Sequence, residues 1–221
     1  MVEKDKAPPP HQRQDAARPP RLYADAPRLP EAAEIDVREL ISGKTYELEI
    51  GPGRGGFIFE RVAAMPEVAL LGLEVRRKWA QIVDQRLRKC ELSGRARVFA
   101  EDAKQALGRI GPQEVFARVF VHFPDPWWKK KHNKRMLLDA ALLREIARLL
   151  TPQGEFFVQT DVAERASQIE ALVGSDPCFL PAGDAIDSPR LAKNPYCAQS
   201  PRERRAMRDS LPVHRLCFRR R

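Results

Sequence analysis

The sequence predicts an α/β fold: a doubly wound, mostly parallel sheet with helices on both faces and an antiparallel strand pair toward the C-terminus. Three observations predict it. Strand and helix patterns alternate strictly from Thr45 to Val173. The first strand runs straight into a glycine-rich turn, Gly51-Pro-Gly-Arg-Gly-Gly56. The run Val115-Phe-Ala-Arg-Val-Phe-Val121 is apolar nearly throughout, as a strand buried on both faces must be.

Taken in order, Tyr46-Glu-Leu-Glu-Ile50 reads as the first strand and residues 57–64 as the first helix. Val68-Ala-Leu-Leu-Gly-Leu73 is the second strand. Trp79, Ile82, Val83, Leu87 and Cys90 then recur at helical spacing and predict one buried face. Residues 96–100 are a third strand, followed by a short helix over 103–110. The fourth strand ends at His122. A helix over 137–150 stops at Thr151-Pro152, the fifth strand covers 155–160, and Val162, Ala166, Ile169 and Val173 stripe the next helix. The segment 211–218 reads as a terminal strand or hairpin whose pairing the sequence leaves open. Right-handed crossovers wind such a chain into an open sheet, and ligands then sit at the carboxyl ends of its strands.

Residues 1–30 hold seven of the nineteen prolines. We expect a poorly ordered tail over 1–40 and one folded domain over 41–221. The net charge of +9 and pI near 9.7 favour an anionic partner. No apolar run approaches the ~20 residues of a membrane span, and the first residues lack the hydrophobic region of a signal peptide. Cys90, Cys178, Cys197 and Cys217 have no CxxC spacing, which argues against zinc and disulfides and for a reduced cytoplasm.

Two segments carry chemistry. In the first, Gly51, Gly53 and Gly55 let the backbone approach a ligand. Gly51, Gly53 and Gly56 also fit a dinucleotide pattern, but Glu49 lies two residues before the turn, where a pyrophosphate would be repelled and an ammonium received. Glu74, at the end of the second strand, is placed to bridge ribose hydroxyls. Asp102, after the third, is placed to reach an adenine amino group. Ammonium, ribose and adenine together describe S-adenosylmethionine.

In the second segment, His122-Phe-Pro-Asp-Pro-Trp-Trp-Lys-Lys-Lys-His-Asn-Lys-Arg135, Asp125 is fixed between two prolines. Trp127 and Trp128 offer stacking surface, and five Lys/Arg with His132 follow within seven residues. A rigid acid, aromatic surface and dense positive charge at a strand end suit a nucleic acid.

The stretch from Thr45 to Val173 resembles a class I S-adenosylmethionine-dependent methyltransferase. With the second segment and Gln159-Thr-Asp161 added, the chain resembles the TrmB family of tRNA (guanine-N7-)-methyltransferases. That family's signature, F-x-D-P-W-x-K-x-x-H-x-K-R-R, stands here as Phe123-Pro-Asp-Pro-Trp-Trp-Lys-Lys-Lys-His-Asn-Lys-Arg-Met136. The resemblance implies a Rossmann-like sheet and methyl transfer to N7 of a guanosine in the tRNA variable loop. It implies S-adenosylmethionine as cofactor, S-adenosylhomocysteine as product and no metal, with tRNA rather than DNA or membrane as partner. It places Glu49, Glu74, Asp102 and Asp125 at the cofactor, Asp125 at the centre of the reaction, and Lys129 and Asp161 at the substrate. By spacing alone, Asp161 either hydrogen-bonds the guanine edge or caps the helix beginning at Val162.

One element departs from the family. Its T-x-[YF]-E has its best counterpart in Asn194-Pro-Tyr-Cys197, so Asn194 and Tyr196 are the substrate contacts expected there and the glutamate is missing. Either Glu203 is the displaced acid, or the chain acts on another RNA or a small molecule. A non-catalytic RNA-binding subunit is the reading from a different class. The eight arginines of residues 202–221 offer a second phosphate-binding surface.

Overall fold

A computed structural model of the protein describes residues 22–124 and 137–221. The elements are β1 (Ile35–Asp36), α1 (Val37–Leu40), β2 (Thr45–Ile50), α2 (Gly56–Ala64), β3 (Val68–Leu73), α3 (Arg77–Lys89) and β4 (Ala96–Phe99). After them come α4 (Ala103–Ala106), extended by a 3-10 turn (Leu107–Arg109), then β5 (Ile110–Gly111), β6 (Phe116–His122), α5 (Ala140–Leu149) and β7 (Leu150–Thr160). The chain closes with α6 (Ala163–Gly174), β8 (Phe179–Pro181), β9 (Arg190–Leu191), α7 (Pro201–Arg208) and β10 (His214–Arg220).

The main sheet has the order β4-β3-β2-β6-β7-β10-β8, with β9 also on β10. The first five are parallel, and β10 runs antiparallel to β7, β8 and β9. The chain winds outward from β2 to β4, then returns to lay β6 on the other side of β2. Strand order therefore reverses between β2 and β6, the crevice where open α/β sheets bind ligands.

Burial explains the strands. Leu48, Ile50, Leu71, Leu73, Val119, Val121, Phe156 and Val158 share one core with Leu142, Leu143, Ile146, Ala166, Ile169 and Val173 of the α5 and α6 helices. Leu70, Val98, Phe120 and Phe157 join the other, under Phe57, Ile58 and Val62 of α2 and Ala80, Val83 and Leu87 of α3. Each buried Val, Leu, Ile or Phe among them contributes about 1.5–3 kcal/mol.

Several expectations shift. On α3 the buried set is Ala80, Val83, Asp84 and Leu87; Trp79 and Ile82 are half-buried, and Cys90 is an exposed C-cap. Asp84 can face inward because Arg97 (2.7 Å), Arg88 (3.0 Å) and the Val98 N–H (3.2 Å) donate to it. β7 starts at Leu150 rather than 155, but its register against β6 slips between Phe116 and Arg118, next to Pro152, which has no N–H to give a ladder. Upstream of the residue-41 boundary, Ala26, Leu29, Ile35 and Val37 are buried and β1 pairs with β5. Arg28 (2.7 Å) and the Leu29 N–H (3.1 Å) bind Glu101, so packed chain extends further toward the N-terminus. Among the described residues no helix is long and apolar enough to cross a membrane.

Candidate active site at the strand carboxyl ends

Two adjoining clefts open at the carboxyl ends of β2, β3 and β6. One, of about 500 Å³, is lined by Glu74, Glu101 and Asp102. The other, of about 570 Å³, has Glu49, Thr160 and Asp161 on its walls and Arg54, Arg76, Arg202 and Arg205 around it. Gly51, Arg76, His122, Phe123 and Pro124 line both and mark where they meet. Acids toward the sheet and guanidiniums outside suit a cationic ligand within the clefts and a second, phosphate-bearing one at their rim.

The three turn glycines divide their work. Gly51 (φ +77°) and Gly53 (φ +54°) adopt left-handed backbone, and a Cβ on Gly51 would meet none of the described residues within 4 Å. That open space faces the clefts. Gly55 (φ +76°) lines neither; a Cβ there would lie 2.5 Å from Val83 Cγ1, so this glycine lets α2 pack on α3 instead of cradling a ligand. Expected as a cofactor contact, Gly55 is placed at a helix contact.

Glu49 is buried at 1% exposure. Its Oε1 lies 2.9 Å from His122 Nδ1, and its Oε2 has no partner among the described residues. Glu74 is also buried, and it accepts from the Gly53 N–H (2.8 Å), the Arg76 N–H (2.9 Å) and Arg76 Nε (3.2 Å). Asp102 lines the first cleft and caps α4 through the Lys104 N–H (3.0 Å). Glu49, Glu74 and Asp102 therefore converge on one pocket system from three successive strand ends.

On the substrate side, Asp161 does not cap α6: the helix N-cap is Val162, without a side-chain bond, and Thr160 Oγ1 accepts the Val162 N–H. Its carboxylate instead takes Arg202 at 2.5 and 3.0 Å. Tyr196 is turned away from the clefts, with its ring 4.9 Å from Phe120 and 4.8 Å from Phe157 and its hydroxyl near Glu155 (3.3 Å). Burial pushes the Tyr196 phenol far above its ordinary value. Asn194 holds the loop together, accepting the Tyr196 N–H and donating to Ala198 O and Glu203. Glu203 is fully buried, its carboxylate held by Arg215 (2.9 Å) and Asn194 and its N–H bonded to Ser200 Oγ at the N-cap of α7, so it cannot serve as a displaced acid in the clefts. The substrate roles expected of Asn194 and Tyr196 thus fall on residues that shape the fold.

Asp125, Trp127, Trp128, Lys129 and the basic residues after them lie outside the described residues. The chain reaches them through Phe123, whose positive φ (+49°) is rare for a bulky side chain, and whose N–H bonds Gln159 O (2.8 Å). The residue-by-residue reading of the sequence missed His122, and it placed Arg202 only in the arginine run of residues 202–221, not at Asp161. A histidine closing an otherwise apolar strand was a usable signal for the first; nothing local pointed to the pairing of Arg202 with Asp161.

Comparison with known proteins agrees with this geometry. The Methyltransf_4 family of methyltransferases matches residues 44–215. A tRNA (guanine-N(7)-)-methyltransferase of Myxococcus xanthus (strain DK1622) is 35% identical over 169 residues, 76% of this chain and 80% of that protein. One from Synechococcus sp. (strain WH7803) is 37% identical over 185 residues, 80% and 76% of the two chains. Among solved structures, the 16S rRNA methyltransferase KamB superposes with a TM-score of 0.57 at 16% identity, over 83% of this chain and 90% of that one. The aminoglycoside resistance methyltransferase NpmB1 gives 0.53 at 20% identity, over 84% and 92%. The two structures share the fold.

Proposed function

The chain belongs to the Methyltransf_4 methyltransferases and, within them, to the tRNA (guanine-N7-)-methyltransferases, and we infer that it methylates N7 of a guanosine in tRNA. The observation that carries the reading is the pairing of an open left-handed glycine, Gly51, with a buried carboxylate oxygen, Glu49 Oε2, that has no partner among the described residues. Both sit at the point where strand order reverses.

These residues fit S-adenosylmethionine. The unpartnered oxygen of Glu49 suits an ammonium, the Gly51 backbone leaves room for the chain beyond it, and Glu74 and Asp102 line the cleft where a nucleoside would lie. When bound, the cofactor supplies an electrophilic methyl group on a sulfonium. Guanine N7 already carries a free lone pair, so the protein needs no base to create a nucleophile. Its task is alignment, and close alignment alone removes several kcal/mol of barrier.

Asp125 follows Pro124, which lines both clefts, and we assign it the place beside the purine. A carboxylate there stabilises positive charge as it develops on the ring and accepts from the guanine N–H edge. Asp161, only 12% exposed, is the second acceptor for that edge. Arg54, Arg76, Arg202 and Arg205, with Lys129 and the basic residues beside it, meet the phosphates. The variable-loop guanosine is the target we propose, and the cytoplasm the compartment in which the enzyme meets its tRNA.

The test is methyl transfer from labelled S-adenosylmethionine to unmodified tRNA, with nucleoside analysis and an Asp125→Ala control. The reading expects 7-methylguanosine that disappears in the variant. Cofactor binding without methylated tRNA would mean that the Asn194–Cys197 departure marks a different substrate.

A further inference from the structure

We propose that His122 is a positioning residue that presents the Glu49 carboxylate to the primary ammonium at the amino-acid end of the cofactor. The proposal rests on the functional reading above and adds to it a residue and a division of labour. His122 Nδ1 lies 2.9 Å from Glu49 Oε1, with both side chains almost wholly buried, at 3% and 2% exposure. An ionised carboxylate only accepts, so Nδ1 carries the proton of this bond. The imidazole cannot swing away from it. Phe57 packs at 4.3 Å between ring centroids, Phe120 stacks at 5.8 Å with planes 14° apart, and Phe157 meets it edge-on at 6.1 Å.

The consequence is a carboxylate with one oxygen tied down and one left over. Glu49 Oε2 is buried and, among the described residues, unpartnered, and both residues line the larger cleft. A buried acceptor without a donor is costly, and a buried charge without a counter-charge more so. A ligand with several N–H donors and a positive charge settles both at once, and a primary ammonium is the smallest group that does. Without His122, Glu49 would be free to rotate and would meet that ammonium at a cost in order. His122 borders both clefts, but the side chain it bonds, Glu49, lines only the larger one, so its effect falls on the amino-acid end of the ligand and not on the nucleoside end assigned to Glu74 and Asp102.

That spatial division gives the experiment. Full-length protein and two variants are titrated calorimetrically with S-adenosylhomocysteine and with methylthioadenosine, which keeps the nucleoside and lacks the amino-acid end. His122→Phe retains an aromatic ring among Phe57, Phe120 and Phe157 but has no donor. His122→Asn restores an N–H near the Nδ1 position. The proposal expects His122→Phe to bind S-adenosylhomocysteine roughly tenfold or more weakly, because Glu49 is no longer held toward the ammonium, with methylthioadenosine unchanged within about twofold. His122→Asn should recover most of the difference. Equal binding of S-adenosylhomocysteine by His122→Phe, an equal loss for both ligands, or no recovery in His122→Asn overturns the proposal. Wild-type protein that binds neither ligand overturns the functional reading itself, which is a separate result.

Discussion

Arg202, from the first turn of α7, grips the Asp161 carboxylate at 2.5 and 3.0 Å across the mouth of the larger cleft. The arginine is 56% exposed and the aspartate 12%, so the pair has one wet partner and one nearly dry one. Such a pair contributes little stability, and the arginine can exchange its partner for a phosphate at small cost. Asp161→Asn should therefore release Arg202 to the RNA. Turnover is expected to fall about 10–100-fold as the guanine edge loses a charged acceptor, while tRNA binding holds or tightens. Arg202→Ala should weaken tRNA binding and lower the slope of log affinity against log salt by about 1.

Arg76 limits what Glu74 can do for a ribose. A carboxylate offers about four lone-pair positions, and three are occupied by the Gly53 N–H, the Arg76 N–H and Arg76 Nε. Bridging a diol takes two, so the exposed Arg76 side chain must move aside when a nucleoside arrives. Arg76→Ala removes that competition. We expect it to tighten S-adenosylhomocysteine severalfold by calorimetry, and unchanged or weaker binding would show that the guanidinium instead contacts the ligand.

The turn glycines separate stability from binding. At Gly55 an alanine meets a left-handed φ, costing about 1–2 kcal/mol, and also Val83 Cγ1 at 2.5 Å. Gly55→Ala should thus cost about 3 kcal/mol in urea unfolding, with Val83→Ala recovering part of it. Gly51→Ala meets the same backbone strain but no neighbour within 4 Å. It should lose the smaller amount of stability and most of its cofactor affinity, because its methyl group enters the ligand's space.

These contrasts explain how far the sequence could be read. Periodicity placed β3 residue for residue and the neighbouring strands to within a residue or two, because two-sided burial leaves an apolar run that local reading detects. That Glu49, Glu74 and Asp102 come together at the clefts was legible because each lies at or just past the carboxyl end of a strand. What was not legible is long-range pairing. Nothing local distinguishes Glu47, buried against Arg61, from a solvated strand acid, or shows that Tyr196 turns inward while Arg202 comes to Asp161 from 41 residues away.

Glu47 is the sharpest case. It is wholly buried, with Arg61 at 2.6 and 2.8 Å and Arg118 at 3.0 Å. Arg61 is itself 4% exposed and also donates to Tyr196 O (2.8 Å), so deleting the glutamate strands a guanidinium in the core. Glu47→Ala should cost about 3–5 kcal/mol in denaturant unfolding. Arg118→Ala should cost only about 1 kcal/mol, since Arg118 is 32% exposed and Arg61 remains to pair Glu47.

Alkaline sensitivity should originate under the sheet. Burial, with Glu155 nearby, pushes the Cys217 thiol from its ordinary 9.0 up to about 11, and burial raises the Tyr196 phenol, 3.8 Å from that sulfur, as well. Both groups keep their protons in the fold at pH values where the unfolded chain has released them. The sign follows directly. Their contribution is intact below about 9, where the thiol is protonated in both states, and it declines as pH rises toward 11, first through Cys217 and then through Tyr196. A two-unit shift bounds the Cys217 part at about 2–3 kcal/mol. Cys217→Ala should therefore start less stable than wild type near neutrality but lose less between pH 9 and 11 by thermal unfolding. The same burial should leave Cys217 unreactive to a thiol reagent at pH 8 while the exposed Cys90, Cys178 and Cys197 react. Parallel pH curves for wild type and variant would place the alkaline transition elsewhere.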